Sequence, residues 1–173
     1  MQFRTILVPV DFSACSAGLV ASAVDMAKTH GATLHLVHVI EPIQGLSSSV
    51  RVATDEGSMS IADALRAEAQ RNLDAYETGD VPTERSYREG HPVDGVLGAI
   101  EEVSADLVML GTHGRRGLAH LLLGSVAERV VRQSPVPVMT LRTMHHAGCD
   151  AASCNWCSNK TAMRAQAEVE ADG

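Results

Sequence analysis

The chain has 173 residues, 14 Lys and Arg against 21 Asp and Glu for a formal charge of −7, and 45% hydrophobic residues. That length supports one self-sufficient core, so its four cysteines are not needed as a disulfide framework. With lysine only at 28 and 160, and one Trp, two Tyr and two Phe, it lacks the clustered cations of a duplex binder and the aromatics of a base-stacking platform.

The N-terminus carries a short apolar run and no small-residue cleavage pattern, and no apolar stretch reaches membrane-spanning length. A soluble cytoplasmic protein without a membrane partner is expected. Thr5 to Val10 is β-branched and apolar, as in a strand buried on both faces, with Pro9 marking its end. From Ser13 to His30 the period becomes helical, with Ala17, Val20, Ala21, Val24 and Ala27 as the apolar face and Gly31 as C-cap. Thr33 to Ile40 is a second strand. Glu41 to Ser60, with Pro42, Gly45, Gly57 and three consecutive serines, reads as a long mobile connection.

Ile61 to Glu77 repeats Ile61, Leu65, Ala69 and Leu73 at helical spacing, and Thr83 to Glu89 is a weak strand near an edge. Pro92 opens a helix running through Val96, Leu97, Ile100 and Val103. Asp106 to Leu110 is a fourth strand. Ser125 to Gln133 is a helix with Val126, Ala127, Val130 and Val131 on one face, and Val136 to Leu141 is the fifth strand. Strands alternating with crossover helices make a doubly wound α/β domain with a five-stranded parallel sheet. Ligands of such sheets lie beyond the carboxyl ends of the strands, which directs attention to Val10 and Asp11, His38 to Ile40, and Leu110 to Gly114.

Gly111, Gly114 and Gly117 follow the fourth strand, and Gly124-Ser125 opens the next helix. Glycines let successive amides approach an anion, and the helix adds free N–H groups and its positive dipole end. Ser125 and Glu128 fit a capping box. The same glycines would also serve two ordinary turns. No GxxxxGK[ST], no GxGxxG and no nearby lysine are present.

Gly111-x2-Gly114-x9-Gly124-Ser125 resembles the G-2x-G-9x-G-[S/T] signature of the universal stress protein family, in its nucleotide-binding subgroup. TILVPVDFS, LHLVHVI, DLVMLGTHGRRG and LLGSVAERVVRQSPVPVMTLR extend the similarity from residue 4 to residue 142. The resemblance implies an adenine nucleotide α-hydrolase-like fold over 1–142 that binds ATP, with Mg²⁺ accompanying the nucleotide. It places Pro9, Val10, Asp11, Val39, Leu110, Gly111, Gly114, Gly124, Ser125 and Val126 at the nucleotide, Asp11 on the ribose and Val39 on the adenine through its backbone. Asp11 also suits an N-cap of the first helix, in competition with Ser13. Arg115 and Arg116 are the nearest cations, either for a γ-phosphate or as solvated charge.

His113 and Asp11 are the only catalytic candidates, and neither HIGH nor SGGxDS occurs. The expectation is a regulatory, nucleotide-sensing protein of stress response whose ATP turnover is slow or absent, a slow hydrolase being the lesser reading. The resemblance further implies a homodimer through the fifth strand. Residues 143–173 fall outside it. There His145, His146, Cys149, Cys154 and Cys157, with a CxxC pair, have the donor types for tetrahedral Zn²⁺. A Cys154 to Cys157 disulfide and incidental cysteines are the alternatives, the first making the protein a redox responder. Cys15 is expected to be a small buried residue.

Overall fold

The computed structural model describes residues 2–42, 50–54, 57–112 and 123–141. Five strands, β1 (Thr5–Pro9), β2 (Thr33–Ile40), β5 (Thr83–Glu89), β6 (Leu107–Gly111) and β7 (Val138–Leu141), form one all-parallel sheet in the order β5-β2-β1-β6-β7. β1 is central, and the strand order reverses between it and β6. The crossovers are α1 (Ala14–His30), α2 (Ile61–Asp74), α3 (Pro92–Glu102) and α4 (Ser125–Gln133).

Both sheet faces are covered, which is why the inner strands read as continuous apolar runs. On one face Ile6, Val8, Leu34, Leu36 and Met109 pack against Leu19, Val20 and Ala23 of α1 and Leu73 of α2. On the other, Leu7, Val37, Val108 and Leu110 meet Val93, Val96 and Ile100 of α3 and Ala127 and Val130 of α4. Among the described residues no helix is long and apolar enough to cross a membrane.

The punctuation expected from the sequence is in place. Gly31 closes α1 at φ 66°, Pro92 occupies the first turn of α3, and Cys15 is buried. Several expectations are corrected. The Glu41 to Ser60 connection contains an antiparallel hairpin, β3 (Arg51–Thr54) with β4 (Gly57–Ser60), leading straight into α2. Arg51 Nε donates to Ser58 Oγ across it, a polar pairing that apolar periodicity does not report. α2 stops at Asp74 and not Glu77, because Arg85 reaches over from β5 to donate to the carbonyls of Leu73 (3.1 Å) and Tyr76 (2.9 Å), so their acceptors are used outside the helix.

On α1 the buried stripe is shifted: Ala17 and Ala21 are exposed, while Leu19 and Ala23 are buried beside Val20 and Val24. Val131 of α4 is likewise 43% exposed. Asp106 precedes β6 and accepts from the amides of Arg4 (2.8 Å) and Thr5 (3.1 Å), fastening the start of β1. β7 starts at Val138 because Pro137 has no N–H, although its carbonyl still accepts from Val108.

Candidate functional site

A cavity of about 650 Å³ opens at the carboxyl end of the sheet, where the strand order reverses. Its floor is the end of β1 and β2, with Pro9, Val10, Asp11, Val37, His38, Val39 and Ile40. Leu110, Gly111 and Ser125 to Ala127 form one wall, and Leu65, Glu68, Ala69 and Asn72, one face of α2, form the opposite wall. Eight of the ten residues assigned to the nucleotide from sequence therefore line a single cavity: Pro9, Val10, Asp11, Val39, Leu110, Gly111, Ser125 and Val126.

Asp11 is held in place from within its own turn. One carboxylate oxygen, Oδ1, accepts from the Ser13 amide at 3.0 Å and from the Ser16 hydroxyl at 2.7 Å. The N-cap position of α1 goes to Ser13, whose side chain makes no capping bond and whose buried Oγ has no hydrogen-bond partner. The carboxylate satisfies the Ser13 amide in a turn just ahead of the helix, so the N-cap for which Asp11 and Ser13 competed falls to Ser13, and Asp11 does not cap α1. Phe12, between them, adopts φ 59°, a left-handed conformation unusual for an aromatic residue. That turn lays its ring on His38 with centroids 4.1 Å apart and toward Tyr76 at 6.4 Å. His38 Nδ1 donates to the Val10 carbonyl at 2.7 Å, so its Nε2 is the acceptor nitrogen.

The main chain of Val39 has a particular disposition. The Val37 carbonyl accepts from the Val10 amide at 2.9 Å, and alternation along a parallel ladder turns the amide and carbonyl of Val39 to that same side. β1 has already ended, at the Pro9 and Val37 pair, so no strand among the described residues takes them up. One N–H and one C=O side by side match the N1 acceptor and N6 donor of adenine, and present the wrong polarity to guanine. Gly95 of α3 lets this happen: a Cβ there would stand 2.7 Å from Val39 Cγ2.

At the other end, the Gly124 amide donates to the Thr112 carbonyl at 2.9 Å and the Thr112 amide to Leu141 at 2.9 Å, joining the two described ends on either side of residues 113–122. Gly124 is the N-cap of α4, and the Glu128 amide returns to its carbonyl at 2.8 Å. This corrects the expected capping box: Ser125 is already inside the helix and its side chain is released from that duty. The amides of Ser125, Val126 and Ala127 fall in the first turn, without intrahelical acceptors, and all three residues line the cavity. Together with the positive end of the helix dipole they suit an anion. No Lys or Arg lines the cavity among the described residues, whereas Asp11, Glu41 and Glu68 do. An anion bound here relies on backbone donors.

Sequence reasoning did not anticipate the α2 wall, His91, Phe12 or Ser16. Ser16, 4% exposed, carries a signal in its spacing from Asp11, five residues away within one turn and the start of a helix. Gly114, His113, Arg115 and Arg116 lie outside the described residues, as do His145, His146, Cys149, Cys154 and Cys157. Among the described residues no cluster of His, Cys, Asp or Glu is arranged to hold a metal ion.

The sequence profile of the universal stress protein family matches residues 2–142. A universal stress protein of Methanocaldococcus jannaschii is 31% identical over 147 residues, which cover 81% of this chain and 82% of that protein. Among solved structures, a universal stress protein in complex with cAMP is 30% identical, with a TM-score of 0.58 over 83% of this chain and 100% of its own. The universal stress protein of Archaeoglobus fulgidus in complex with dAMP shares the fold at 21% identity, with a TM-score of 0.54 over 82% of this chain and 100% of its own.

Proposed function

Because the chain belongs to the universal stress protein family, we propose that it is a nucleotide-sensing regulator that binds ATP in the cavity at the end of β1 and works as a homodimer. The observation that carries the reading is the convergence on one cavity of three groups suited to three parts of one ligand. The amide and carbonyl of Val39, which no strand among the described residues takes up, suit adenine, the anchored carboxylate of Asp11 suits ribose hydroxyls, and the first-turn amides of α4 suit phosphate. The cAMP and dAMP complexes of two family members support the adenine nucleotide class. A triphosphate is preferred over these monophosphates because Gly111 and the α4 amides extend the donor surface away from Asp11, where a carboxylate would repel phosphate. Mg²⁺ enters as the counterion of the triphosphate, since the cavity brings no Lys or Arg among its described lining.

Calorimetric titration with ATP, GTP, AMP and cAMP in the presence of Mg²⁺ tests this. Tightest binding of ATP, with a loss of about tenfold or more in Asp11→Ala, equivalent to about 1.4 kcal/mol, is the expected result. No binding of any adenine nucleotide at millimolar concentration, by protein with an unchanged unfolding midpoint, overturns it.

A further inference from the structure

We propose that Ser16 is the positioning residue of sugar recognition, its hydroxyl holding the Asp11 carboxylate in the pose that distinguishes a ribose from a deoxyribose. This deepens, and rests on, the adenine nucleotide reading of the cavity, which both residues line. Ser16 is the third residue of α1 and only 4% exposed. A buried hydroxyl must find its partners within the protein, and in a helix the nearest acceptor is the carbonyl one turn back. Two other hydroxyls of α1 take that route: Ser22 Oγ donates to the Gly18 carbonyl and Thr29 Oγ1 to that of Asp25, each at 2.9 Å. Ser16 departs from it. Its Oγ donates to Asp11 Oδ1 at 2.7 Å and accepts from the Asp11 amide at 3.4 Å, so one hydroxyl clasps that residue by side chain and main chain together.

Asp11 lies in the turn between β1 and α1, where no helix or strand dictates the direction of its side chain. The Ser13 amide and the Ser16 hydroxyl converge on the same oxygen, and two donors on one atom restrict the rotation of the whole carboxylate. The hydroxyl bond is the shorter, as a charge-assisted O–H donor to a carboxylate should be. A carboxylate accepts hydrogen bonds and donates none. Phosphate is repelled by it, and with the adenine amino group facing the Val39 carbonyl, the sugar hydroxyls are the donors left for it to take. Its affinity for them depends on being held in place before the ligand arrives. Deleting a sugar hydroxyl removes the donor, and freeing the carboxylate removes the fixed acceptor. The two losses report on one contact, which makes the preference for ribose a property of Ser16.

The experiment is calorimetric titration of the full chain, Ser16→Ala, Ser16→Cys and Ser22→Ala with ATP, 2′-deoxy-ATP and 3′-deoxy-ATP. The unsubstituted chain should bind ATP roughly tenfold more tightly than at least one deoxy analogue, the scale of one hydrogen bond to a charged group. Ser16→Ala should lose roughly tenfold in ATP affinity while binding that analogue as before, which brings the two nucleotides level. Ser16→Cys fills the same space with a weak donor and should give the same result, so the outcome does not hang on the alanine variant folding. A merely structural role for Ser16 would weaken all three nucleotides together and leave their ratio intact. Ser22→Ala, which removes a hydroxyl from the same helix, should leave the ratio unchanged. Equal binding of ATP and both analogues by the unsubstituted chain, a ribose preference that survives in the folded Ser16 variants, or its equal loss in Ser22→Ala overturns the proposal. Failure of the unsubstituted chain to bind ATP overturns instead the function on which it rests.

Discussion

Gly95 is the residue at which fold and site compete most directly. It lies in the interior of α3, where glycine is about 1 kcal/mol less favourable than alanine. An alanine Cβ would, however, stand 2.7 and 2.8 Å from the two methyl carbons of Val39 and 3.3 Å from its Cβ. Val39 is β-branched and cannot swing one flexible end aside, so the strand must move with it. Overpacking of this kind costs about 1 to 3 kcal/mol, which meets or exceeds the gain in helix propensity. Gly95→Ala should therefore lower the unfolding midpoint modestly or leave it level, yet weaken adenine nucleotide binding about tenfold, because the displaced group is the peptide that faces the base. Thermal unfolding and calorimetric titration of the one variant check both halves. An alanine that raises stability and leaves affinity intact would show that Val39 is not held by α3. Gly98, three residues on, provides the contrast: its Cβ would meet only the end of the Arg88 side chain, which can yield.

α2 and the end of β5 are tied together by polar bridges whose titration has a direction. Arg66 of α2 donates to Glu89 at the end of β5 (2.6 Å) and to Asp63 in its own first turn (3.0 Å). The hydrogen bond from Arg66 holds Glu89 below its ordinary value of 4.5, and the Ser60 hydroxyl, with Arg66 assisting, holds Asp63 below 3.8. Carboxyl groups depressed in the folded state contribute their stability in full above those ordinary values and lose it as pH falls through the lowered ones. The unfolding midpoint should accordingly decline below about pH 4.5, and Arg66→Gln should flatten that decline while costing little at pH 7, since both partners are solvent-exposed. A decline of identical shape in the variant would place the acid sensitivity elsewhere. The Arg66–Glu89 bridge was not legible in the sequence, because it depends on where α2 lies on the sheet. The strands were legible for the opposite reason: a sheet covered on both faces demands runs such as Ile6 to Val8 and Leu34 to Val37, and Gly31 and Pro92 mark boundaries through their own backbone limits. The same contrast divides the site. Asp11, Val39, Gly111 and Ser125 sit at strand ends or at the start of a helix, positions a pattern reveals, whereas Glu68 and Asn72 reach the cavity only through the tertiary placement of α2. The β3–β4 hairpin escaped notice because polar pairing between Arg51 and Ser58 leaves no apolar period.

For the molecule as a whole, the two edges of the sheet differ in what they offer a second copy. β5, TERSYRE, carries charges at Glu84, Arg85, Arg88 and Glu89, and alternating charges on an edge strand oppose pairing with another chain. β7, VMTL, has none, and Val131 of the adjacent α4 is 43% exposed. The proposed homodimer therefore forms through β7, two copies related by a two-fold axis pairing the same strand. The hydrogen bonds indicate which amides are available. Val108 donates to Pro137 and Thr112 to Leu141, so the main-chain groups of the odd-numbered residues of this strand face β6, and those of Val138 and Thr140 face outward. Thr140→Pro removes one outward N–H and leaves the ladder to β6 intact, a substitution that edge strands tolerate. Each copy carries a formal charge of −7, so association should also strengthen as salt screens the repulsion between them. Sedimentation velocity at micromolar concentration should report a dimer that becomes monomeric in Thr140→Pro, at an unfolding midpoint lowered only by the loss of association. A monomer in the unsubstituted chain removes the homodimer, and a dimer that survives Thr140→Pro moves the interface away from β7.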